Sequence, residues 1–158
     1  MINICFITDE NYLIPTMVAI QSLIKNTKNE VCVNIIVDNV YQGHLNTFKE
    51  IETQKVKINI INIKNPCENI DTDHLYVSKS AMIKFILPEI FKDLDKILYL
   101  DGDILVLDDL SQLYNTDIES HYIAAVADMA EMLSSAFEER VGVKKYFNSG
   151  ILSTDCNK

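Results

Sequence analysis

Glycine is scarce in this sequence, and its positions exclude two common kinds of phosphate-binding loop. The 158 residues include only four glycines, at positions 43, 102, 142 and 150. Neither GxGxxG nor GxxxxGKS/T, the loops in which glycine-rich backbone surrounds a phosphate, can be written with this spacing. A phosphate-bearing ligand would therefore require a bound cation or other backbone donors.

Basic residues are also few, which bears on the partners of the protein. The sequence contains 14 Lys and Arg residues against 23 Asp and Glu residues, for a formal net charge of -9. Binding to nucleic acid needs clustered basic residues that neutralise phosphates. The composition therefore argues against a nucleic-acid partner.

Long apolar runs and paired cysteines are missing as well. No stretch reaches the roughly 18 apolar residues of a membrane span, and the N-terminus lacks the basic region of a signal peptide. Cys5, Cys32, Cys67 and Cys156 show no CxxC spacing, and we interpret them as reduced residues of a core. We expect a cytoplasmic protein.

Strand-like and helix-like segments alternate in the first part of the chain. Ile2–Thr8 and Val31–Val37 are short apolar runs, and residues 56–63 alternate apolar and polar side chains. Residues 12–24 and 42–54 carry apolar side chains near helical spacing. This order predicts an α/β fold in which a mostly parallel sheet has helices on both faces and ligands lie at the carboxyl ends of the strands.

The remaining segments extend this pattern. Ser78 or Ser80 is predicted to cap a helix that Pro88 ends or kinks. That helix would carry four apolar side chains: Ala81, Met82, Phe85 and Ile86. Residues 145–154 resemble another strand entering the core, after which a helix should begin. We therefore expect a single domain over residues 1–158 that is incomplete at its C-terminus.

Two carboxylates separated by one residue follow the apolar run ILYL. Charges beside a buried strand are costly unless something compensates them, and a divalent cation would do so. In an extended chain Asp101 and Asp103 point the same way, while Gly102 lets a ligand approach the backbone. Oxygen ligands suit Mg²⁺ or Mn²⁺, either of which would bridge to a nucleotide diphosphate.

The same local pattern has two other interpretations. Asp101 and Asp103 can be acids in a solvated turn between strands. The pattern hhhhDxDxx also occurs in haloacid-dehalogenase-like phosphatases, with the first Asp as nucleophile and the second as acid/base. There the motif normally closes the first strand, whereas three strand-like segments precede Asp101 here.

Three segments together resemble glycosyltransferase family 8, in the order and approximate spacing of that family. They are ICFITDENY near the N-terminus, ILYLDGDILVL with its DxD, and FNSGIL near residue 150. The resemblance covers essentially the whole chain. It implies a Rossmann-like nucleotide-binding domain of the GT-A type, which uses Mn²⁺ or Mg²⁺. It also implies transfer of a hexose from a UDP-sugar, with retention, to a saccharide or lipopolysaccharide acceptor.

The resemblance also assigns donor-binding residues beside Asp101 and Asp103. These are Asp9, Asn11, Lys84, Asp128, Asn148 and Ser149. Asp9 and Asn11 would contact the uracil and ribose, although they also suit helix capping before Tyr12. Lys84 would face the donor phosphate or sugar, although a helix lysine is also commonly a solvated charge.

The other three residues lie around the sugar. Asn148 and Ser149 would contact the donor sugar, unless they form a turn before a strand, and Asp128 would line the sugar site. In the family a downstream histidine completes the metal site and a downstream DQ pair contributes contacts, so the catalytic residues stay unassigned here. His44, His74 and His121 are expected to have no chemical role.

The sequence also leaves open whether the chain transfers sugar and what it assembles with. One alternative is a truncated or inactive fragment that binds only nucleotide and metal. An exposed edge of the sheet would favour a homo-oligomer. Contact with the inner membrane would be peripheral and would depend on a C-terminal part outside this sequence.

Overall fold

The computed structural model of the chain contains one mixed sheet. It describes residues 1–38, 40–66, 68–69, 78–118, 120–128 and 146–158. In these residues six strands form the sheet in the order β3-β2-β1-β4-β6-β5. The strands are β1 (Ile2–Thr8), β2 (Val31–Val37), β3 (Val56–Asn62), β4 (Lys96–Leu100), β5 (Ile123–Ala127) and β6 (Phe147–Asp155).

Strand direction follows from the pairing partners. β1 pairs in parallel with β2 and β4, and β2 pairs in parallel with β3. β6 is antiparallel to both β4 and β5, so β6 alone runs opposite to the other described strands. The predicted mostly parallel sheet is confirmed. Because buried parallel strands are covered on both faces, β1 and β2 are almost continuous in apolar residues.

Helices cover both faces of the sheet, as predicted. They are α1 (Leu13–Asn26), α2 (Gln42–Glu50), a 3-10 helix (Ser80–Ile86), α3 (Leu87–Ile90) and α4 (Ser111–Tyr114). Ile20 of α1 and Phe48 of α2 pack on one face with Phe6 of β1. Ile83 and Leu87 pack on the other face with Cys5 of β1. Within the described residues, no helix has the length and apolar content needed to cross a membrane.

The segment around Pro88 differs from the prediction in its helical geometry. A 3-10 helix ends at Ile86, and α3 begins at Leu87 with Pro88 in its first turn, where a missing N–H costs nothing. With three residues per turn, Ser80, Ile83 and Ile86 share a face. Ile83 is therefore buried, whereas Phe85 is 71% exposed.

The order of the strands locates a ligand-binding edge. After β3 the chain returns across the sheet to form β4 on the other side of β1. In α/β sheets ligands bind outside the carboxyl ends of strands at such a reversal. The ends of β1 and β4, followed by Asp9 and Asp101, lie at this point.

Candidate functional site

Two adjoining cavities lie at this edge of the sheet. The larger cavity, of about 690 Å³, is lined by Asn11, Asp38 and Asn65 among others. The smaller cavity, of about 290 Å³, is lined by residues from four segments, including Lys84, Asp101, Asp103 and Ser149. Asp9 and Ser80 line both cavities and so form the boundary between them.

The DGD segment, residues 101–103, forms a turn after the carboxyl end of β4. The backbone N–H of Asp101 donates to the Gly150 carbonyl at 2.8 Å, which extends the pairing of β4 with β6. The chain then turns at Gly102 and Asp103, so the expectation of an extended backbone is wrong. The turn brings Gly102 against α1, where a Cβ would lie 2.4 Å from the Thr16 hydroxyl oxygen. Both carboxylates nevertheless line the smaller cavity.

Lys84 is a buried part of this site. Its side chain is 9% exposed, and its ammonium group lies 3.3 Å from Asp101 Oδ1. It also donates to the carbonyl oxygen of Ser149 at 3.3 Å and to the hydroxyl oxygen at 3.4 Å. The interpretation of Lys84 as a solvated charge is therefore wrong, because the 3-10 helix directs it into the cavity.

Tyr99 provides a second donor to the same carboxylate. Its hydroxyl group donates to Asp101 Oδ1, and its ring lies 4.8 Å from the Lys84 ammonium. Burial, and then the negative charge of Asp101, raise the pKa of Tyr99 well above its usual range. The hydroxyl therefore keeps its proton and acts as a hydrogen-bond donor. Alternation in β4 places residues 99 and 101 on one face, so the sequence carried a signal for Tyr99 that was missed.

One carboxylate oxygen of Asp9 accepts hydrogen bonds from the neighbouring backbone. Oδ1 accepts hydrogen bonds from the backbone N–H groups of Asn11 at 2.9 Å and Tyr12 at 3.1 Å. These bonds close the turn that precedes α1, whose N-cap, Tyr12, makes no side-chain capping hydrogen bond. The other oxygen lies 3.4 Å from the Ser80 hydroxyl at the cavity boundary. The turn thus leaves Asp9 at the edge of the candidate site, and Asn11 lines the larger cavity.

A cluster around Asp38 was not predicted. Asp38 Oδ2 accepts hydrogen bonds from the Asn65 amide at 2.7 Å and from the Ser80 hydroxyl at 2.8 Å. Asp38 directly follows β2 as Asp9 follows β1, and this parallel would have identified it. Asn65 lies in a loop without any such signal. The cluster joins the ends of β2 and β3 to the first residue of the 3-10 helix that carries Lys84.

The other predicted residues occupy different positions around β6. Asn148 and Ser149 lie inside β6. The alternative interpretation, in which they form a turn before the strand, is therefore wrong. Ser149 lines the smaller cavity, whereas the side-chain amide oxygen Oδ1 of Asn148 accepts a hydrogen bond from the Gly150 backbone N–H at 2.8 Å. The backbone N–H of Asp128 donates to the Tyr146 carbonyl at 3.0 Å. Asp128 follows β5 beyond β6, and it lines neither cavity in the described part of the chain.

The histidines lie apart from the two carboxylates where they are described. His44 Nδ1 lies 2.6 Å from Glu10 Oε1, and the Ser120 hydroxyl lies 2.8 Å from His121 Nδ1. His74 lies outside the described residues. Among the residues that the structure describes, no group of three or more His, Cys, Asp and Glu side chains is arranged to bind a metal ion.

Comparison with known proteins identifies the family. The family model for glycosyl transferase family 8 matches residues 3–158. The chain belongs to glycosyltransferase family 8. This confirms the resemblance drawn from the three sequence segments and identifies the chain as a member of a family of sugar transferases. The phosphatase alternative is set aside, in agreement with the position of the DxD after β4 rather than β1.

Individual relatives of this family 8 chain support the same assignment. It is 26% identical over 158 residues to lipopolysaccharide 1,2-glucosyltransferase of Escherichia coli, covering 95% of this chain and 46% of that protein. It is 28% identical over 138 residues to glycosyltransferase 8 domain-containing protein 1 of Xenopus laevis, covering 84% of this chain and 38% of that protein. The chain thus spans less than half the length of these curated relatives.

A solved structure confirms the fold. The galactosyltransferase LgtC, in complex with donor and acceptor sugar analogues, superposes with a TM-score of 0.88 at 24% identity. The match covers 99% of this chain and 59% of LgtC. The expected GT-A fold is therefore confirmed.

Proposed function

We propose that this family 8 chain binds a UDP-sugar for retaining transfer of a hexose to a saccharide or lipopolysaccharide acceptor. In this proposal Asp101 and Asp103 bind Mn²⁺ or Mg²⁺ against the donor diphosphate. The observation that supports it most is the convergence of both carboxylates with the Lys84 ammonium in one cavity at the sheet reversal. A cavity with negative and positive groups side by side suits a ligand that combines phosphates with a bound cation.

The residues present fit a divalent cation. Asp101 and Asp103 supply hard oxygen ligands, as Mg²⁺ and Mn²⁺ prefer. A Cβ at Gly150 would lie 2.9 Å from Asp101 Oδ2, so glycine leaves space beside that oxygen. Mg²⁺ usually keeps several waters and binds through one or two carboxylates plus substrate phosphates. Two protein carboxylates are therefore a sufficient set when donor phosphates and water complete the coordination.

In this proposal each cavity binds a different part of the donor. Asn11 and Asp9 would bind the nucleoside in the larger cavity, and Ser80 would mark the passage to the smaller one. Lys84 would hold the diphosphate by charge, while Ser149 and Asn148 would contact the sugar. A bound divalent cation would stabilise the negative charge that develops on the departing UDP. The buried Tyr99 would keep the Asp101 carboxylate in one orientation throughout.

A second proposal is binding of nucleotide and metal without sugar transfer. It is supported by the pair of carboxylates at residues 101 and 103, which have no third protein ligand among the described residues. A cytoplasmic location also stays a proposal, supported by the free thiols of Cys5, Cys32 and Cys156. A homo-oligomer and peripheral contact with the inner membrane remain predictions.

A panel of nucleoside diphosphates tests the donor assignment. We expect UDP to bind in the presence of Mn²⁺ at least about tenfold more tightly than ADP or GDP, equivalent to about 1.4 kcal/mol. Isothermal titration calorimetry would measure each affinity. Asn11→Ala should weaken UDP binding, whereas Asn115→Ala, in the loop after α4, should leave it unchanged. Equal affinities for UDP, ADP and GDP would contradict the uridine assignment.

A further inference from the structure

One oxygen of the Asp101 carboxylate carries two protein donors. Lys84 Nζ lies 3.3 Å from Oδ1, and the Tyr99 hydroxyl donates to the same atom. The other oxygen, Oδ2, accepts no hydrogen bond within the described residues and faces the space left by Gly150. The protein therefore compensates the charge of Asp101 from one side and leaves the other side open.

Lys84 is held by more than this ion pair. Its ammonium group also donates to both oxygens of Ser149 and lies over the Tyr99 ring, and the side chain is 9% exposed. A positive charge that is fixed in a low-dielectric position repels another cation nearby more strongly than a solvated one does. A divalent cation at Asp101 would thus meet a fixed positive charge on the far side of the same carboxylate.

From this arrangement we infer that Lys84 is a built-in counter-ion of Asp101 that opposes divalent-cation binding until a nucleotide diphosphate is present. The inference rests on the proposed function, because it takes Asp101 as a metal ligand. A diphosphate contributes negative charge that offsets the repulsion between Lys84 and the cation. Cation and nucleotide therefore bind with positive cooperativity, and by linkage each raises the affinity of the other by the same factor.

The inference predicts an effect of opposite sign on two ligands. Lys84→Met keeps an apolar stem of similar length but removes the positive charge. Without nucleotide, we expect the variant to bind Mn²⁺ more tightly than wild type by on the order of tenfold, since the cation no longer meets a fixed positive charge beside Asp101. With Mn²⁺ present, the same variant should bind UDP more weakly, because the diphosphate loses its cationic partner.

Lys96 offers a matched control for Lys84→Met. Its ammonium group donates to the carbonyl oxygens of Tyr114 at 3.0 Å and Thr116 at 2.8 Å, and it lies 5.7 Å from the Tyr114 ring. Lys96→Met thus removes a lysine that also contacts carbonyl oxygens and an aromatic ring. This lysine lies at the opposite end of β4 from the two carboxylates. The substitution should leave Mn²⁺ affinity unchanged. Lys84→Arg, which keeps the charge, should also fail to strengthen Mn²⁺ binding.

Electron paramagnetic resonance of free Mn²⁺, titrated into each protein without nucleotide, measures the affinities directly. Circular dichroism establishes that each variant keeps the fold, and Lys84→Gln provides a second neutral side chain if methionine perturbs packing. The inference is supported if only the neutral variants, Lys84→Met and Lys84→Gln, bind Mn²⁺ more tightly than wild type. If wild type binds Mn²⁺ and the neutral variants bind it equally or more weakly, the counter-ion role is overturned. The metal site of the proposed function is not overturned by that result. If neither wild type nor the neutral variants bind Mn²⁺ without nucleotide, the counter-ion role is overturned, and the same titration repeated with UDP tests the metal site of the proposed function separately.

Discussion

Asp103→Asn is expected to abolish the increase in UDP affinity that Mn²⁺ produces. Asparagine keeps the shape of the side chain but removes the charge that binds the cation. Because Asp103 is exposed in the turn after β4, its replacement should leave the thermal stability close to that of wild type. We expect a loss of at least about tenfold in UDP affinity with Mn²⁺, or about 1.4 kcal/mol, and little change without it.

Asp108 provides the control for this substitution. It lies in the same connecting segment, its side chain is 86% exposed, and it lies 3.7 Å from the equally solvated Lys28. Asp108→Asn changes the net charge by the same amount without touching either cavity. Calorimetry of UDP binding with and without Mn²⁺ should therefore distinguish the two variants. An equal response of both variants would show that Asp103 acts only through the overall charge.

Gly102→Ala is expected to cost stability and metal-dependent binding together. The new Cβ would lie 2.4 Å from the Thr16 hydroxyl oxygen, which is buried and 3.3 Å from the Thr8 hydroxyl. Thr16 is 0% exposed, so its side chain cannot move out into solvent. Overpacking of this kind costs about 1–3 kcal/mol, and it would displace the turn that carries Asp101 and Asp103. Urea denaturation and UDP titration with Mn²⁺ measure the two effects.

A compensating substitution makes this prediction specific. Thr16→Ala removes the hydroxyl oxygen, so Gly102→Ala should cost clearly less in that background than in wild type. Gly43→Ala is the control, because its Cβ would meet only the ring of Tyr41, which is 69% exposed and can move. Alanine also has a higher helix propensity than glycine, so Gly43→Ala in α2 should not destabilise the protein. Additive costs of the Gly102 and Thr16 substitutions would contradict the proposed contact.

The fold was predictable where a sequence pattern reports local burial. The continuous apolar runs Ile2–Thr8 and Val31–Val37 predicted β1 and β2 at their observed bounds, because strands covered on both faces tolerate few polar residues. A helix that carries Phe85 was predicted, but its 3-10 geometry was not, because short apolar runs do not distinguish the two helix types. The shorter period of the 3-10 helix turns Phe85 to solvent.

The candidate site was predictable only in its charged residues. Asp101 and Asp103 stand out because two charges beside a buried strand are costly unless something compensates them. Their turn was missed because it depends on the contact between Gly102 and Thr16, which are far apart in sequence. Asp38 could have been found from its position directly after β2, but its contacts with Asn65 and Ser80 join segments remote in sequence, so no spacing rule indicates those partners. The resemblance to family 8 supplied Lys84, for which the sequence pattern alone was neutral.

The position of the site explains why so few residues suffice to form it. The carboxyl ends of β1 and β4 meet where the strand order reverses, and this brings Asp9 and Asp101 to the boundary of one cleft. The 3-10 helix adds Lys84 from one side, and β6 adds Ser149 from the other. Each side chain is thus held by an element of the sheet or by a helix packed on it.

Titration of the wild-type chain with UDP, in Mn²⁺ and again in EDTA, tests most directly whether Asp101 and Asp103 bind a cation against the donor diphosphate. Binding through two carboxylates and the phosphates requires the metal, so we predict that Mn²⁺ tightens UDP binding by on the order of tenfold or more. Equal UDP affinity in Mn²⁺ and in EDTA would contradict this account.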